Sequence, residues 1–287
     1  MPELPEVETV VRGLRKTLIG QKISATLVKL PKITASSSNI RPNDLEIGKK
    51  FEKQAKNKII STIERKNKNI IINFIGGSML LIHLKMTGQL LFNSKKTFNP
   101  VANITKHTHI IFTFETGDVM IYNDVRTFGY VLYFESQMEI SPKIFNKIGV
   151  DPFSAEFTSG YMQKILGYKK PIKDLFLSNH FVCGIGNIYS DEICFGSGIK
   201  PGRMCNSLTS QEVEKIFYSI KDKLSHAIQH GGSSISDYVN SQGIRGEYSK
   251  YHNVYNRAGK ECKKCSEILI KTTLKGRSTV FCRHCQI

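Results

Sequence analysis

The stretch that decides most about the fold lies near the end of the chain: "CKKCSEILIKTTLKGRSTVFCRHC", residues 262–285. Two Cys-x2-Cys pairs are separated here by sixteen residues, a spacing that brings four thiolates around one zinc ion. Four cysteine ligands leave no open coordination position, so the predicted zinc is structural. The residues between the pairs alternate enough to predict a hairpin that turns at Lys275-Gly276. We therefore predict a C-terminal zinc-finger hairpin that holds one Zn²⁺ through Cys262, Cys265, Cys282 and Cys285.

The other cysteines and the apolar pattern predict a cytoplasmic protein. The chain has seven cysteines, and the three outside the finger, Cys183, Cys194 and Cys205, are scattered. An odd count and a start without a basic-then-apolar leader argue against a secreted disulfide framework. No run of about 20 apolar residues is present, so we expect no membrane span and no membrane partner.

The charge of the chain predicts a polyanionic partner. Forty-one Lys and Arg against 24 Asp and Glu give a net charge of +17 in 287 residues. Nucleic acid is the commonest soluble polyanion that such a balance serves. The excess is concentrated in residues 49–68 and 245–287. Charge runs are often only solvated faces, so either cluster could also be a plain exposed surface.

The hydrophobic pattern divides the chain into a β-rich part, a helical part and the cysteine-bearing tail. Short β-branched runs separated by turn signals predict several strands in a sandwich or barrel. These runs are residues 22–30, 69–75, 78–84, 109–114, 119–123 and 130–134. The polar stretch 34–44 predicts a surface loop. From about residue 143 the period is helical, most clearly over Thr209–His230, where Thr209 and Glu212 form a capping box. The predicted domains are 1–138, 139–240 and 241–287.

The N-terminal stretch "MPELPEVETVVRG" predicts a helix whose first turn is acidic. Pro2 and Pro5 prevent a helix before roughly the fifth residue, and Gly20 ends the apolar repeat. The repeat itself consists of Val7, Val10, Val11, Leu14 and Leu18. Taken alone, the glutamates are explained by the helix dipole, which favours negative charge at this end.

Three further motifs are candidates for a nucleic-acid site. "GIGN" at 184–187 opens a helix, as in anion-binding turns or in a plain glycine turn. "HLKMTG" at 83–88 and "DVRTFG" at 124–129 each follow a predicted strand. Their Met86 and Phe128 are either core residues or loop-tip wedges that enter a duplex beside an extruded base.

Taken together in their order along the chain, the motifs resemble those of the formamidopyrimidine-DNA glycosylases. These are bacterial base-excision enzymes for oxidised purines. The resemblance runs nearly end to end. It is carried by "PELPEVE" at 2–8, "RKNK" at 65–68, "HLKMTG", "KHTH" at 106–109, "DVRTFG", "GIGNIY" at 184–189, "GGSS" at 231–234, and the four cysteines with Arg277. It implies an α+β multidomain fold: an N-terminal β-sandwich with flanking helices, a helix–two-turn–helix domain, and a C-terminal zinc-finger hairpin, with DNA in the cleft between.

The resemblance also implies catalytic roles. Once Met1 is removed, Pro2 would be the nucleophile, with Glu3 as the acid/base group and Glu6 supporting it. Lys68 would contact the substrate near the lesion. Arg277, in the zinc finger, would be a further catalytic residue. Lys58, in "KNK" at 56–58, is the alternative to Lys68, but we prefer Lys68 because the run "NIIINF" follows it as a predicted strand.

The remaining implied residues contact DNA. Asn187 and Arg277 would grip the phosphates that flank the flipped nucleotide. Arg126 would face the orphan cytosine, with Met86 and Phe128 filling the gap, and His107 and Lys173 complete the set. The chain departs from the family pattern at Lys85, where glycine is usual, and at Thr127, where a second basic residue is frequent. These departures leave the path of the Met86 loop open.

The implied activity is excision of 8-oxoguanine and formamidopyrimidines from double-stranded DNA by a monomeric, nucleoid-associated enzyme. A Schiff base on the N-terminal proline would be followed by β- and δ-elimination. One alternative is an endonuclease VIII-like enzyme for oxidised pyrimidines, which Leu4 and the "DVRTFG" loop disfavour. The other is a non-catalytic zinc-dependent nucleic-acid-binding protein, which the intact set of Pro2, Glu3 and Lys68 disfavours.

Overall fold

A computed structural model describes residues 1–35, 44–139, 145 and 147–287. Most of the predicted loop 34–44 and the start of the predicted helical part near residue 143 lie outside these residues. The chain forms two compact units. The first comprises Met1–Asn146 and Gly231–Gly246, and the second comprises Lys147–His230 and Glu247–Ile287. The predicted domain boundaries at 138/139 and 240/241 stay predictions.

The first helix confirms the N-terminal pattern. Helix α1 spans Leu4–Leu18, with Pro5 in its first turn, where a missing N–H costs nothing. All five apolar residues of the repeat are fully buried: Val7, Val10, Val11, Leu14 and Leu18. They pack in the core of the first unit, so the N-terminus of α1 has a fixed position on the sheets.

Two antiparallel four-stranded sheets form the first unit. The strand orders are β1-β6-β7-β5 and β2-β3-β4-β8. Side chains alternate across each sheet: Ile70 and Ile72 enter the shared core, whereas Ile71 packs on the outer face. The sheets therefore form the predicted sandwich. The strands are β1 Ile23–Val28, β2 Ile60–Lys66, β3 Asn69–Phe74, β4 Met79–His83, β5 Gly88–Asn93, β6 Thr108–Phe114, β7 Val119–Asp124 and β8 Tyr130–Phe134.

The basic stretch 49–68 contains regular structure that the sequence pattern did not predict. Helix α2 spans Leu45–Ala55 and buries Phe51 and Ala55 in the core, while its lysines stay outside. Strand β2 follows it directly, and the short helix α3 spans Pro100–Asn103. Part of the charge excess therefore belongs to the exposed face of an amphipathic helix.

Residues 231–246 pack on the sandwich although they follow the long helix of the second unit. The backbone N–H of Phe92 donates to the carbonyl of Ser241 at 2.7 Å, and Gln89 Nε2 donates to the carbonyl of Asp237 at 2.7 Å. The segment thereby runs beside β5. Its first residues, the "GGSS" motif, reach the N-terminus of α1.

The second unit is helical and ends in the predicted hairpin. Thr209 and Glu212 form the capping box that begins the long helix, and the helix beginning at Asn187 is also confirmed. The elements are α4 Ser159–Gln163, α5 Ile172–Ser178, α6 Asn187–Ser197, α7 Ser210–Gln229, β9 Ile270–Leu274 and β10 Arg277–Phe281. Among the described residues, no helix is both long and apolar enough to cross a membrane.

Candidate active site and DNA-contact residues

The N-terminal turn is buried and held by one carboxylate. Pro2 is buried, and Glu3 is only 3% exposed. The backbone N–H of Glu3 donates to Glu6 Oε2 at 2.8 Å, and the backbone N–H of Ser233 donates to Glu6 Oε1 at 2.7 Å. Glu6 thus fixes the backbone next to Pro2, and its predicted role in catalysis stays a prediction.

Tyr238, which the sequence did not single out, and Gly232 of the "GGSS" motif complete this support. Tyr238 Oη lies 3.2 Å from the carbonyl oxygen of Glu6 and 3.0 Å from that of Gly231. Burial raises the pKa of Tyr238, so the hydroxyl keeps its proton and donates. Gly232 has a φ of +82°, and a Cβ there would lie 3.0 Å from Glu6 Oε1. The "GGSS" motif is therefore explained by close approach to Glu6.

Lys68 lies at the turn between β2 and β3 and is 6% exposed. The preceding turn residue, Asn67, has a φ of +58°, and the Arg65 side chain donates to its carbonyl at 3.2 Å. A strand does follow Lys68, but β2 also follows Lys58, which is half-buried. The preference for Lys68 over Lys58 as the substrate contact stays a prediction.

His83 beside this turn is a neutral group at neutral pH. Burial lowers its pKa to about 3, helped by the positive charges of Lys85 and Lys68. Its Nδ1 accepts the backbone N–H of Lys85 at 2.9 Å. The ring therefore fixes the start of the Met86 loop and adds no positive charge near Lys68.

Met86, Arg126 and Phe128 form one exposed group, which we call the loop-tip cluster. Met86 is 44% exposed and Phe128 is 53% exposed. The guanidinium of Arg126 lies 3.2 Å from Met86 Sδ through Nη1 and 4.6 Å from the centre of the Phe128 ring. Neither apolar side chain belongs to the core, so the exposed alternative for Met86 and Phe128 is the one that fits.

His107 lies beside the same loops. Its backbone carbonyl accepts the N–H of Asp124 at 3.0 Å, which places it at the end of β7. The side chain is half-buried. Its predicted role in DNA binding stays a prediction.

In the second unit, Asn187 and the hairpin tip are adjacent. Asn187 is the first residue of α6, and its Nδ2 donates to the carbonyl of Ser278 at 3.1 Å. The exposed Arg277 is the neighbour of Ser278 in β10. Lys275 and Gly276 have φ values of +43° and +74°, as in a type I′ hairpin turn. The Asn187 side chain thus contacts the residue that follows Arg277, and the joint role predicted for Asn187 and Arg277 stays a prediction.

Lys173 differs from its prediction as a DNA-contact residue. Its side chain is fully buried, so it presents no surface to DNA. Its Nζ donates to Asp191 Oδ1 at 2.7 Å and to the carbonyl of Ser278 at 3.0 Å, while Asp191 Oδ2 accepts the backbone N–H of Val280 at 3.1 Å. Burial raises the pKa of Asp191 to about 7, against the opposing effect of Lys173. The pair attaches β10 to helices α5 and α6.

We expect Lys173→Met to destabilise the second unit. Removing one partner of a buried ion pair leaves the other uncompensated, which costs about 3 kcal/mol in the free energy of unfolding. The exposed Lys169→Met is the matched control and should stay within about 0.5 kcal/mol of the parent chain. Urea denaturation measures both, and equal stability of the two variants would contradict this role.

The four cysteines of the finger form a group that could hold a metal ion. Their sulfur atoms all lie within 4.8 Å of one another, with 3.9 Å between Cys262 and Cys285 and 3.5 Å between Cys265 and Cys282. A tetrahedron of Zn–S bonds of about 2.3 Å requires sulfur separations of about 3.8 Å. Backbone N–H groups also point at two of the sulfur atoms, those of Cys262 and Cys282. The donor set and its spacing fit a closed four-thiolate site.

Two family models match the chain. The model of the formamidopyrimidine-DNA glycosylase N-terminal domain matches residues 1–131, and that of the formamidopyrimidine-DNA glycosylase H2TH domain matches residues 148–239. Together they cover most of the sandwich and the helical part of the second unit.

Relatives and solved structures agree over the full length. The formamidopyrimidine-DNA glycosylase of Bacillus anthracis is 37% identical over 287 residues, which is 100% of this chain and 99% of the relative. A Lactococcus lactis Fpg mutant in complex with DNA that contains Fapy-dG has a TM-score of 0.86 at 32% identity, covering 99% of both chains. MutM in complex with DNA that contains carbocyclic 8-oxo-G has a TM-score of 0.85 at 32% identity, again covering 99% of both chains.

Proposed function

This chain belongs to the formamidopyrimidine-DNA glycosylase family and is a DNA glycosylase, and from that premise we propose that it excises 8-oxoguanine and formamidopyrimidines from double-stranded DNA. The observation that carries the proposal is the N-terminal turn, in which buried Pro2 and Glu3 are held by Glu6 and Ser233. Complexes of relatives with Fapy-dG and 8-oxo-G DNA support the substrate class.

We propose that the amine of Pro2 is the nucleophile. An N-terminal amine has a reference pKa near 7.7–8.0 against about 10.4 for lysine, so about a quarter of it is free at pH 7.5. The amine forms a bond to C1′ as the glycosidic bond breaks, and the base leaves with a proton. After the nitrogen loses its proton, the C1′–O4′ bond breaks as O4′ is protonated, and the nitrogen lone pair forms the iminium, a protonated Schiff base. The iminium permits β- and then δ-elimination of the two flanking phosphates, which makes the enzyme an AP lyase as well. Met1 must be absent, because it acylates this nitrogen.

Glu3 is the proposed proton-transfer group. It is adjacent to Pro2 in the chain and almost fully buried, where a carboxyl group can exchange protons with the substrate without competition from bulk water. Lys68, buried at the β2–β3 turn, is the proposed contact to the substrate near the lesion, while Asn187 and Arg277 bind the phosphates that flank the flipped nucleotide.

The opposite base tests the proposal. Arg126 donates hydrogen bonds and accepts none, so it favours cytosine, which presents O2 and N3 as acceptors. We expect excision of 8-oxoguanine opposite C to be at least about tenfold faster than opposite A. Single-turnover cleavage of duplexes that carry one lesion opposite each of the four bases measures this preference. Arg126→Ala should reduce it, with the exposed Lys53→Ala on α2 as a basic-residue control.

Two results would contradict the proposal. Equal rates of 8-oxoguanine excision opposite C and opposite A would show that Arg126 does not recognise the orphan base. Preferential excision of thymine glycol would instead support the endonuclease VIII-like alternative.

We propose that Cys262, Cys265, Cys282 and Cys285 hold one structural Zn²⁺. Four thiolates must be deprotonated and brought together, so metal binding and folding of the finger are coupled. When bound, the zinc supplies cross-linking and no reactive coordination position. The residues of the finger, β10 above all, then present Arg277 to DNA.

Zinc removal should abolish binding of lesion DNA while the sandwich stays folded. Chelation or Cys282→Ser should each have this effect, since Arg277 loses its fixed position. Arg277→Ala should keep the zinc and weaken binding of lesion DNA. The slope of the logarithm of the binding constant against the logarithm of the salt concentration should fall by about one, as for one lost phosphate contact. Arg283→Ala, an exposed arginine of the same finger, is the control. Metal analysis that finds no zinc in active enzyme would contradict this part of the proposal.

The proposed setting is the bacterial cytoplasm, where the enzyme would act as a monomer on nucleoid DNA. The net charge of +17 supports attraction to the duplex before the lesion is recognised.

A further inference from the structure

A buried carboxylate lies beneath the loop-tip cluster. Asp124 ends β7 and is fully buried. Its Oδ2 accepts the backbone N–H of Gly129 at 2.8 Å, and its Oδ1 accepts that of Arg126 at 3.2 Å. The carboxylate therefore binds both ends of the loop that carries Arg126 and Phe128. A buried carboxyl group is costly unless its oxygens accept hydrogen bonds, and these two backbone N–H groups supply them.

Thr87 joins the second loop to the first. Its hydroxyl donates to Asp124 Oδ1 and accepts the backbone N–H of Arg126 at 3.0 Å. Thr87 directly follows Met86 in the chain. One hydroxyl thus links the loop that carries Met86 to the loop that carries Arg126 and Phe128, and it is buried from solvent.

Both loops are closely packed at the glycines that end "HLKMTG" and "DVRTFG". A Cβ on Gly129 would lie 1.9 Å from Tyr122 Oη, and one on Gly88 would lie 2.5 Å from the carbonyl oxygen of Leu84 and 2.9 Å from Tyr122 Oη. Tyr122 Oη is also 3.5 Å from Asp124 Oδ2. Gly129 is therefore required by the close approach of the tyrosine hydroxyl, and Gly88 first by the Leu84 backbone.

Both loops contain a strained residue next to the cluster. Lys85 has a φ of +49° and Thr127 has a φ of +53°, which are left-handed values that residues other than glycine seldom adopt. A β-branched residue is especially unfavourable there. Such strain persists only where the surroundings enforce it. His83 and Lys32 bond Lys85 and Thr127 directly, and the hydrogen bonds of Asp124 and Thr87 fix the residues on either side of Thr127.

We propose that Asp124 and Thr87 are positioning residues that lock the two loops together, so that Met86, Arg126 and Phe128 meet DNA as one preassembled wedge. The inference rests on the proposed function, because it concerns how that enzyme reads the base opposite the lesion. Neither residue touches DNA in this account. Their effect is exerted through the backbone of Arg126 and the neighbouring Met86.

A pair of Thr87 variants tests the lock. Thr87→Val keeps the shape and removes the hydroxyl, whereas Thr87→Ser keeps the hydroxyl. We expect Thr87→Val to slow excision of 8-oxoguanine opposite C by about 10- to 100-fold, because loosely held groups near the reaction lose rate steeply. The ratio of the excision rates opposite C and opposite A, the C-over-A preference, should fall by about tenfold, because the backbone of Arg126 is no longer fixed. Thr87→Ser should retain most of the rate and of the preference.

Thermal melting, which shows whether each variant is folded, and a second variant distinguish this positioning role from a merely structural one. Asp124→Asn, which keeps one acceptor oxygen, should also lower the C-over-A preference. If Thr87→Val is folded and keeps the parent preference, or if Thr87→Ser loses as much preference as Thr87→Val, the lock is overturned. Failure of the parent chain to excise 8-oxoguanine would instead reject the proposed function, so the two failures are distinguishable.

Discussion

A chain that keeps any residue in front of Pro2 should lose excision of oxidised purines, by at least about a thousandfold. An N-terminal extension converts the proline amine into an amide, which carries no free electron pair for attack on C1′. The turn that holds Pro2 stays buried and bonded through Glu3 and Glu6 with Met1 in front of it, and Met1 itself is 52% exposed. Loss of function therefore has a chemical cause and leaves the turn in place.

Excision by the same chain with a C-terminal tag is the control for this prediction. Ile287 is exposed, so an extension there leaves the N-terminal turn untouched. Cleavage of an 8-oxoguanine duplex under single-turnover conditions compares the two proteins, and both should still bind the duplex. Full activity of the extended chain would show that the nucleophile lies elsewhere.

Glu3→Gln should bind lesion DNA and yet fail to release the base, with the rate of base release reduced by about 10²- to 10⁴-fold. Glutamine has nearly the same shape as glutamate and cannot transfer a proton. Because Glu3 is buried beside the nucleophile, no solvent group can take its place readily. Binding depends mainly on the DNA-contact residues, which this change leaves intact.

Glu46→Gln is the matched control for Glu3→Gln. Glu3 is the N-cap of α1, and Glu46 is an acidic residue in the first turn of α2, but Glu46 is exposed. The control should bind and release the base at the parent rate. Base release by Glu3→Gln at the parent rate would exclude Glu3 as the proton-transfer group.

The features that could be predicted from sequence are those that neighbours along the chain determine. The spacing of four cysteines predicted the finger, and the repeat from Val7 to Leu18 predicted α1, because metal ligation and helix periodicity are local rules. The turn at Lys275-Gly276 was predictable for the same reason. The motif resemblance added the order of the functional residues.

The features that could not be predicted depend on contacts between distant residues. Helix α2 and strand β2 were not predicted in the basic stretch 49–68. Lysines dominate its sequence, and its few buried residues, such as Phe51, are too widely spaced to give a clear hydrophobic pattern. The bond between Glu6 and Ser233 joins residues 227 positions apart. The sequence does not show that Lys173 is buried or that its partner is Asp191, because the two residues meet only in the folded chain.

Borohydride trapping on lesion DNA tests most directly whether the first residue of the mature chain performs the chemistry. Reduction should convert the iminium into a stable protein–DNA adduct, and peptide mapping should place that adduct on the Pro2 nitrogen. Pro2→Gly, which keeps an N-terminal amine, should still be trapped weakly. An adduct that maps to Lys68, or one that forms on a chain with a blocked N-terminus, would contradict the account.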